Sequence, residues 1–200
     1  MKGERIDWVG RAADSALTRR ARNVHLRPVT DGDMDFLFYL ANVDDNLLRW
    51  RLRGRTTSPA AFQNFLWSNT ELQFLIVRNQ DGSPIGHVCT YQTDELARNA
   101  RVAIALDPNV QGRGWALRGA WLFFNYLFFE CPFEIVNFEM PKFNAVRLGR
   151  FLEEFTTEEG RLIDAAFWRG EFTNVRIMSM TRADWQRALS SRAGRFMGAT

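Results

Sequence analysis

One crossover constrains this chain more than any other feature. An apolar strand at 100–106 leads into a Gly-containing loop at 111–116, an aromatic helix at 116–129 and a second strand at 135–140. That order lays two strands in one sheet with the helix packed across a face. The helix is apolar nearly all round through Trp121, Phe123, Phe124, Tyr126, Phe128 and Phe129, so it is expected in the core or at a subunit interface. The loop opens directly onto the helix N-terminus. First-turn N–H groups there have no intrahelical acceptor and the helix dipole favours negative charge, which makes the junction an anion site. Gly112 and Gly114 allow close backbone approach and Arg113 adds charge, although two glycines also make an ordinary loop.

The remaining elements are built around this unit. Val24 to Val29 alternates, is broken by Pro28 and predicts a strand. Thr30 is placed to cap a helix through Ala41 with Met34, Leu37, Phe38 and Ala41 on one face. A polar connection at 42–57 follows, and Ser58-Pro59 opens a helix to about Trp67. Strands at 72–77 and 85–91 flank the turn Asn79-Gln80-Asp81-Gly82 as a hairpin. A helix from Asn144 to about Glu153, two strands about Arg169-Gly170-Glu171 and a basic helix from Arg182 complete the order β-α-α-β-β-β-α-β-α-β-β, with no internal repeat. This organisation predicts a basic N-terminal extension at 1–23, one domain at 24–185 and a basic tail at 186–200.

Composition excludes several classes. At 46% hydrophobic and 24% charged residues, the chain is expected to be globular and cytoplasmic. The stretch from Trp115 to Phe129 is too short, and too interrupted by Arg118 and Asn125, for a membrane span; the N-terminus has no apolar signal region. A net charge of +3 is too small to predict nucleic-acid binding. Cys89, Cys131, His25 and His87 lack metal-ligand spacing, so no metal is expected and the thiols are read as buried and reduced. The surplus of aromatic residues, 17 Phe and 7 Trp, leaves room for a homodimer.

Gln111-Gly112-Arg113-Gly114-Trp115-Ala116 resembles the Q/R-x-x-G-x-G/A motif of the GNAT acyltransferase superfamily. Ala105-Leu106-Asp107-Pro108-Asn109-Val110 looks like the lead-in of that family, and Asn144 stands where the family places a CoA-contacting Asn. Glu159-Gly160-Arg161-Leu162, Ile177-Met178-Ser179-Met180 and Asp184-Trp185 are similar to the RimJ/RimL-type branch. The resemblance implies an α+β, three-layer fold with a mixed, mostly antiparallel sheet and helices on both faces. It implies an acyl-CoA co-substrate, with pyrophosphate on the backbone of 112–116, pantetheine along the strand through Ile104 and Leu106, and the thioester in a splay between strands 100–106 and 135–140. The acceptor it implies is a primary amine of a small molecule or peptide N-terminus.

Acyl transfer to an amine requires deprotonation of the amine, donors for the tetrahedral oxyanion, and a proton or polar partner for the thiolate. A backbone N–H near Ile104 to Leu106 is a candidate donor. The family's usual Tyr and Ser positions hold Phe151 and Arg147, so proton transfer does not carry over. The catalytic candidates are Glu139, near the end of its strand, and His87 and Tyr91, which share one strand face; the plainer alternatives are a carboxylate paired with an Arg and a satisfied core His. Arg49, Trp50, Arg51 and Arg53, with Arg55 beside them, lie where the fold borders the acceptor and form either an anion grip or a solvated loop. Two other functions stay open: transfer of a longer or carrier-bound acyl group, and a module that binds acyl-CoA without turnover.

Overall fold

The computed structural model describes residues 20–43, 46, 51–110, 114–144, 153–191 and 194. Seven strands form one sheet in the order β1-β2-β3-β4-β5-β7-β6. The strands are β1 Val24–Pro28, β2 Gln73–Arg78, β3 Pro84–Asp94, β4 Asn99–Leu106, β5 Ile135–Pro141, β6 Thr157–Trp168 and β7 Glu171–Thr181. The helices are α1 Met34–Asn42, α2 Pro59–Ser68, α3 Trp115–Glu130 and α4 Arg182–Ser190. Among the described residues only β4 and β5 pair in parallel, as the α3 crossover between them requires; every other pairing there is antiparallel.

Alternation along the strands divides the core into two layers. Phe74, Ile76, Val88, Val102 and Val136 pack with α3 and α4, where Trp185 lies against Trp121, Phe124 and Phe128. Leu75, Val77 and Ala105 pack on the other side with Leu37, Leu40, Phe62 and Leu66 of α1 and α2. The aromatic surplus is therefore mostly core, as the all-round apolar pattern of α3 predicts, although Phe129 is exposed. Ala21, ahead of β1, is buried in the first layer, as is Ala188 of α4.

Local differences from the sequence reading have local causes. Thr30 and Asp33 form a capping box around a single 3-10 turn, Asp31–Asp33, so the regular helix begins only at Met34. Leu40 is buried beside Leu37 and Ala41, and Met34 and Phe38 pack half-buried against the same cluster. The connection before α2 is not merely polar: Leu52 is buried against α1 and α2. Cys89 is buried but Cys131 only half-buried, and both are free thiols. The helix expected from Asn144 lies largely outside the described residues; helical turns stand at 142–144 and 153–155.

Candidate functional site

The β4–β5 ladder is short. It pairs Asn99 with Ile135, Ala100 with Val136 and Arg101 with Asn137, and then stops although both strands continue. Beyond Arg101 the two strands diverge, as the sequence reading expects of 100–106 and 135–140. Asp107 donates its N–H to Ile85 C=O on β3 at 3.0 Å. Alternation then turns the N–H and C=O groups of Ile104 and Leu106 the other way, into the opening. Among the described residues no strand pairs with them there.

The end of β4 is held by side chains. Asn46, buried, donates from Nδ2 to Leu106 C=O at 2.9 Å and to Leu40 C=O at 3.0 Å, tying β4 to α1. Asp107 Oδ1 accepts from the Asn109 N–H at 2.9 Å and from Asn109 Nδ2 at 3.0 Å, while Tyr39 of α1 donates to it at 3.4 Å. This Asx turn, with Pro108 inside it, directs the chain from β4 toward α3.

Gly114 is the N-cap of α3, at φ +71° in the left-handed region that favours glycine, and offers no side-chain cap. The first intrahelical bond is Arg118 N–H to Gly114 C=O. The N–H groups of 115–117 thus precede it, on a helix of 16 residues. Trp115 is buried, with the Arg78 guanidinium 5.8 Å from its ring centroid. Gln111, Gly112 and Arg113 lie outside the described residues, as do Arg147 and Phe151. Asn144 is partly buried just after β5.

The α1/α2 face of the sheet gathers polar groups beside the divergence. His87, Cys89 and Tyr91 stand opposite Ala105, Ala103 and Arg101 in the β3–β4 ladder, and Arg101 pairs with Asn137, so Glu139 shares this face. His87 is fully buried with Nε2 3.3 Å from Gln73 Oε1; burial first, then the charge of Arg51, pushes its pKa down to about 3. Burial likewise pushes the Cys89 thiol up to about 12 and raises the Tyr91 phenol. Glu139 accepts from Arg101 Nη1 on Oε1 at 2.5 Å and from Arg53 Nη2 on Oε2. His87 therefore has the surroundings of a neutral core histidine, and Glu139 those of a doubly paired carboxylate.

A tight turn aims Arg53. Arg55 donates its N–H to Leu52 C=O, and Arg53 and Gly54 between them have φ of +49° and +83°. Buried Leu52 anchors this turn. Arg51 is fixed differently: its guanidinium lies 4.5 Å from the Tyr91 ring centroid and 4.9 Å from that of Phe65, and donates to Thr70 Oγ1 at 2.7 Å and Asn69 C=O at 2.6 Å. Arg49 and Trp50 fall outside the described residues. Sequence reasoning missed Asn46 and Arg101. Arg101 has a visible signal, a cation on the same strand face as Ala103 and Ala105; Asn46 has none, because its acceptor on β4 is 60 positions away.

Residues 23–148 match the family model described as an acetyltransferase (GNAT) domain. The chain belongs to this family. Comparison with curated proteins gives no match. Solved structures carry the same fold. The spermidine N-acetyltransferase of Vibrio cholerae, solved with CoA and spermine, superposes with a TM-score of 0.72 at 22% identity, covering 82% of this chain and 98% of that one. The same organism's spermidine/spermine N-acetyltransferase in complex with manganese ions gives 0.69 at 21%, covering 82% and 96%. A GCN5-related N-acetyltransferase from Brucella melitensis gives 0.68 at 20%, covering 90% and 85%. This acetyltransferase domain thus has the mixed, mostly antiparallel sheet with helices on both faces that the motif implies. Among its described residues no helix is long and apolar enough to cross a membrane.

Proposed function

We propose that this chain transfers an acetyl group from acetyl-CoA to a primary amine, in a ternary complex on the two sides of the β4–β5 divergence. The divergence itself carries the reading: it turns the N–H groups of Ile104 and Leu106 and the C=O of Ile104 into a slot that leads toward the N-terminal turn of α3. The family motif assigns the CoA pyrophosphate to the N–H groups of 112–116 together with Gln111 and Arg113, and the arm to Asn144. Bound acetyl-CoA supplies the thioester.

This assignment gives each group a place in the chemistry. The amine nitrogen donates its lone pair to form the N–C bond as the C–S bond breaks, and the electron pair leaves with sulfur. Of the two protons the starting ammonium loses, one balances the thiolate as thiol and the other goes to solvent. Ile104 and Leu106 N–H groups face the carbonyl oxygen as charge builds on it. Glu139, at the slot's acceptor side, receives the amine proton through water, and Tyr91, whose raised pKa keeps its proton, donates toward the thiolate. His87 supports the face from within the core.

Acceptor identity is not carried over from the polyamine enzymes. The segments 159–162, 177–180 and 184–185 support a place beside the RimJ/RimL-type branch. Free Cys89 and Cys131 fit a cytoplasmic setting. Exposed Phe167 and Phe172 support a homodimer, which light scattering reads directly. Thiol release with acetyl-CoA and an amine panel tests the reaction. Gly114→Val, strained at positive φ and in the path of the pyrophosphate, is expected to raise the acetyl-CoA KM about tenfold or more. An unchanged KM would remove α3 from the donor site.

A further inference from the structure

Resting on the donor site proposed above, we infer that the acceptor amine also carries an oxyanion, a carboxylate or a phosphate, received by Arg51 and Arg53 on the α1/α2 face. Three guanidinium groups and one carboxylate converge there around Tyr91. Arg51 lies on its ring, Arg101 stands opposite it on β4, and Glu139 joins Arg101 to Arg53. Counting Glu71, whose charge reaches the Cys89 thiol together with that of Arg51, the group is positive by one charge beside the thioester slot.

Two features mark these cations for a ligand. The groups that hold Arg51 by hydrogen bonds, the Thr70 hydroxyl, the Asn69 carbonyl and the Cys89 thiol, are neutral, so they orient its guanidinium without cancelling its charge. Stacking between Phe65 and Tyr91 fixes the same group, which lowers the entropy lost when an oxyanion docks. Arg53 is 63% exposed and projects from a left-handed turn toward Glu139. Glu139 is only 18% exposed but keeps Arg101 as a partner, so a substrate oxyanion can take its place on Arg53 without leaving the carboxylate unpaired. The exchange leaves Glu139 Oε1 on Arg101 and frees Oε2 toward the amine. A polycation would meet like charge at the same place.

The decisive measurement is thiol release from acetyl-CoA with matched acceptors. Glycine, β-alanine, methionine and phenylalanine are each run beside their amides, phosphoethanolamine beside ethanolamine, and spermidine alone. At least one anionic member is expected to exceed its neutral partner in kcat/KM by about tenfold or more, and whether it is an acid or the phosphate separates the two sources. In Arg53→Gln and Arg51→Gln that ratio falls toward one through KM, while the acetyl-CoA Kd stays within about twofold. If Arg51→Gln also loses acetyl-CoA binding, its fold is compromised and exposed Arg53 decides alone. Equal rates for every matched pair, spermidine as the best acceptor, or a preference that survives Arg53→Gln each overturn the inference. Failure of the unmodified protein to bind acetyl-CoA overturns the donor site instead.

Discussion

His87 and Tyr91 sit four positions apart on one strand face, with Cys89 between them, and burial treats them differently. The imidazole is fully enclosed, with its pKa pushed down to about 3, while the phenol is pushed up and remains half-buried beside Glu139. A histidine neutral in the folded state and free to protonate when unfolded binds fewer protons folded than unfolded below pH 6.5. Its contribution is therefore fully present above about pH 6.5 and is lost as pH falls from 6.5 toward about 3. The slope in that window approaches about 1.4 kcal/mol per pH unit for one group. Urea unfolding across the window is expected to show a shallower fall for His87→Gln than for the unsubstituted chain. Parallel curves would mean that the buried imidazole titrates in the folded protein. Only half of this was legible beforehand. Alternation places His87 and Tyr91 on one face, but which face α1 and α2 cover depends on contacts distant in sequence.

The β3–β4 ladder shows how an element sets the slot. Gly86 faces Leu106, and a Cβ there would stand 2.7 Å from Ala105 C=O and 3.1 Å from Leu106 Cγ. The backbone oxygen cannot swing aside as a flexible side chain would. Gly86→Ala is expected to cost about 1–3 kcal/mol of stability, as overpacking does, and to weaken acetyl-CoA binding because the end of β4 must move. Gly160→Ala, with nothing within 4 Å of its Cβ, should stay within about 0.5 kcal/mol. Matching losses in the two variants by urea midpoint would disprove the contact argument. The strands and the crossover were readable because period-2 alternation and the run through α3 are local patterns. The divergence was not locally encoded: β4 and β5 keep strand character past the point where pairing ends. Nor was the Arg53–Glu139–Arg101 cluster, whose members come from a turn and two strands far apart in sequence. The fold family supplied the location of the slot, and only packing supplied its polar lining.

The two core layers meet at a sheet that is continuous from β1 to β6 except where β4 leaves β5. A ligand lying in that gap and on α3 would bridge the half built on β1–β4 and the half built on β5–β7, so its binding should register as stability of the entire domain. A ligand that binds only the folded state stabilises by RT ln(1 + [L]/Kd), about 2.7 kcal/mol at a hundredfold excess over Kd. For a domain of this size each kcal/mol raises Tm by about 2–4 °C, so saturating acetyl-CoA is expected to raise it by about 5–11 °C. Free CoA, which keeps the pyrophosphate and pantetheine contacts, should give a rise of similar size, and acetate none. Acetyl-CoA without effect would show that the gap is not a donor site. An equal shift from ADP alone would confine binding to the start of α3 and leave the β4 backbone without its assigned role.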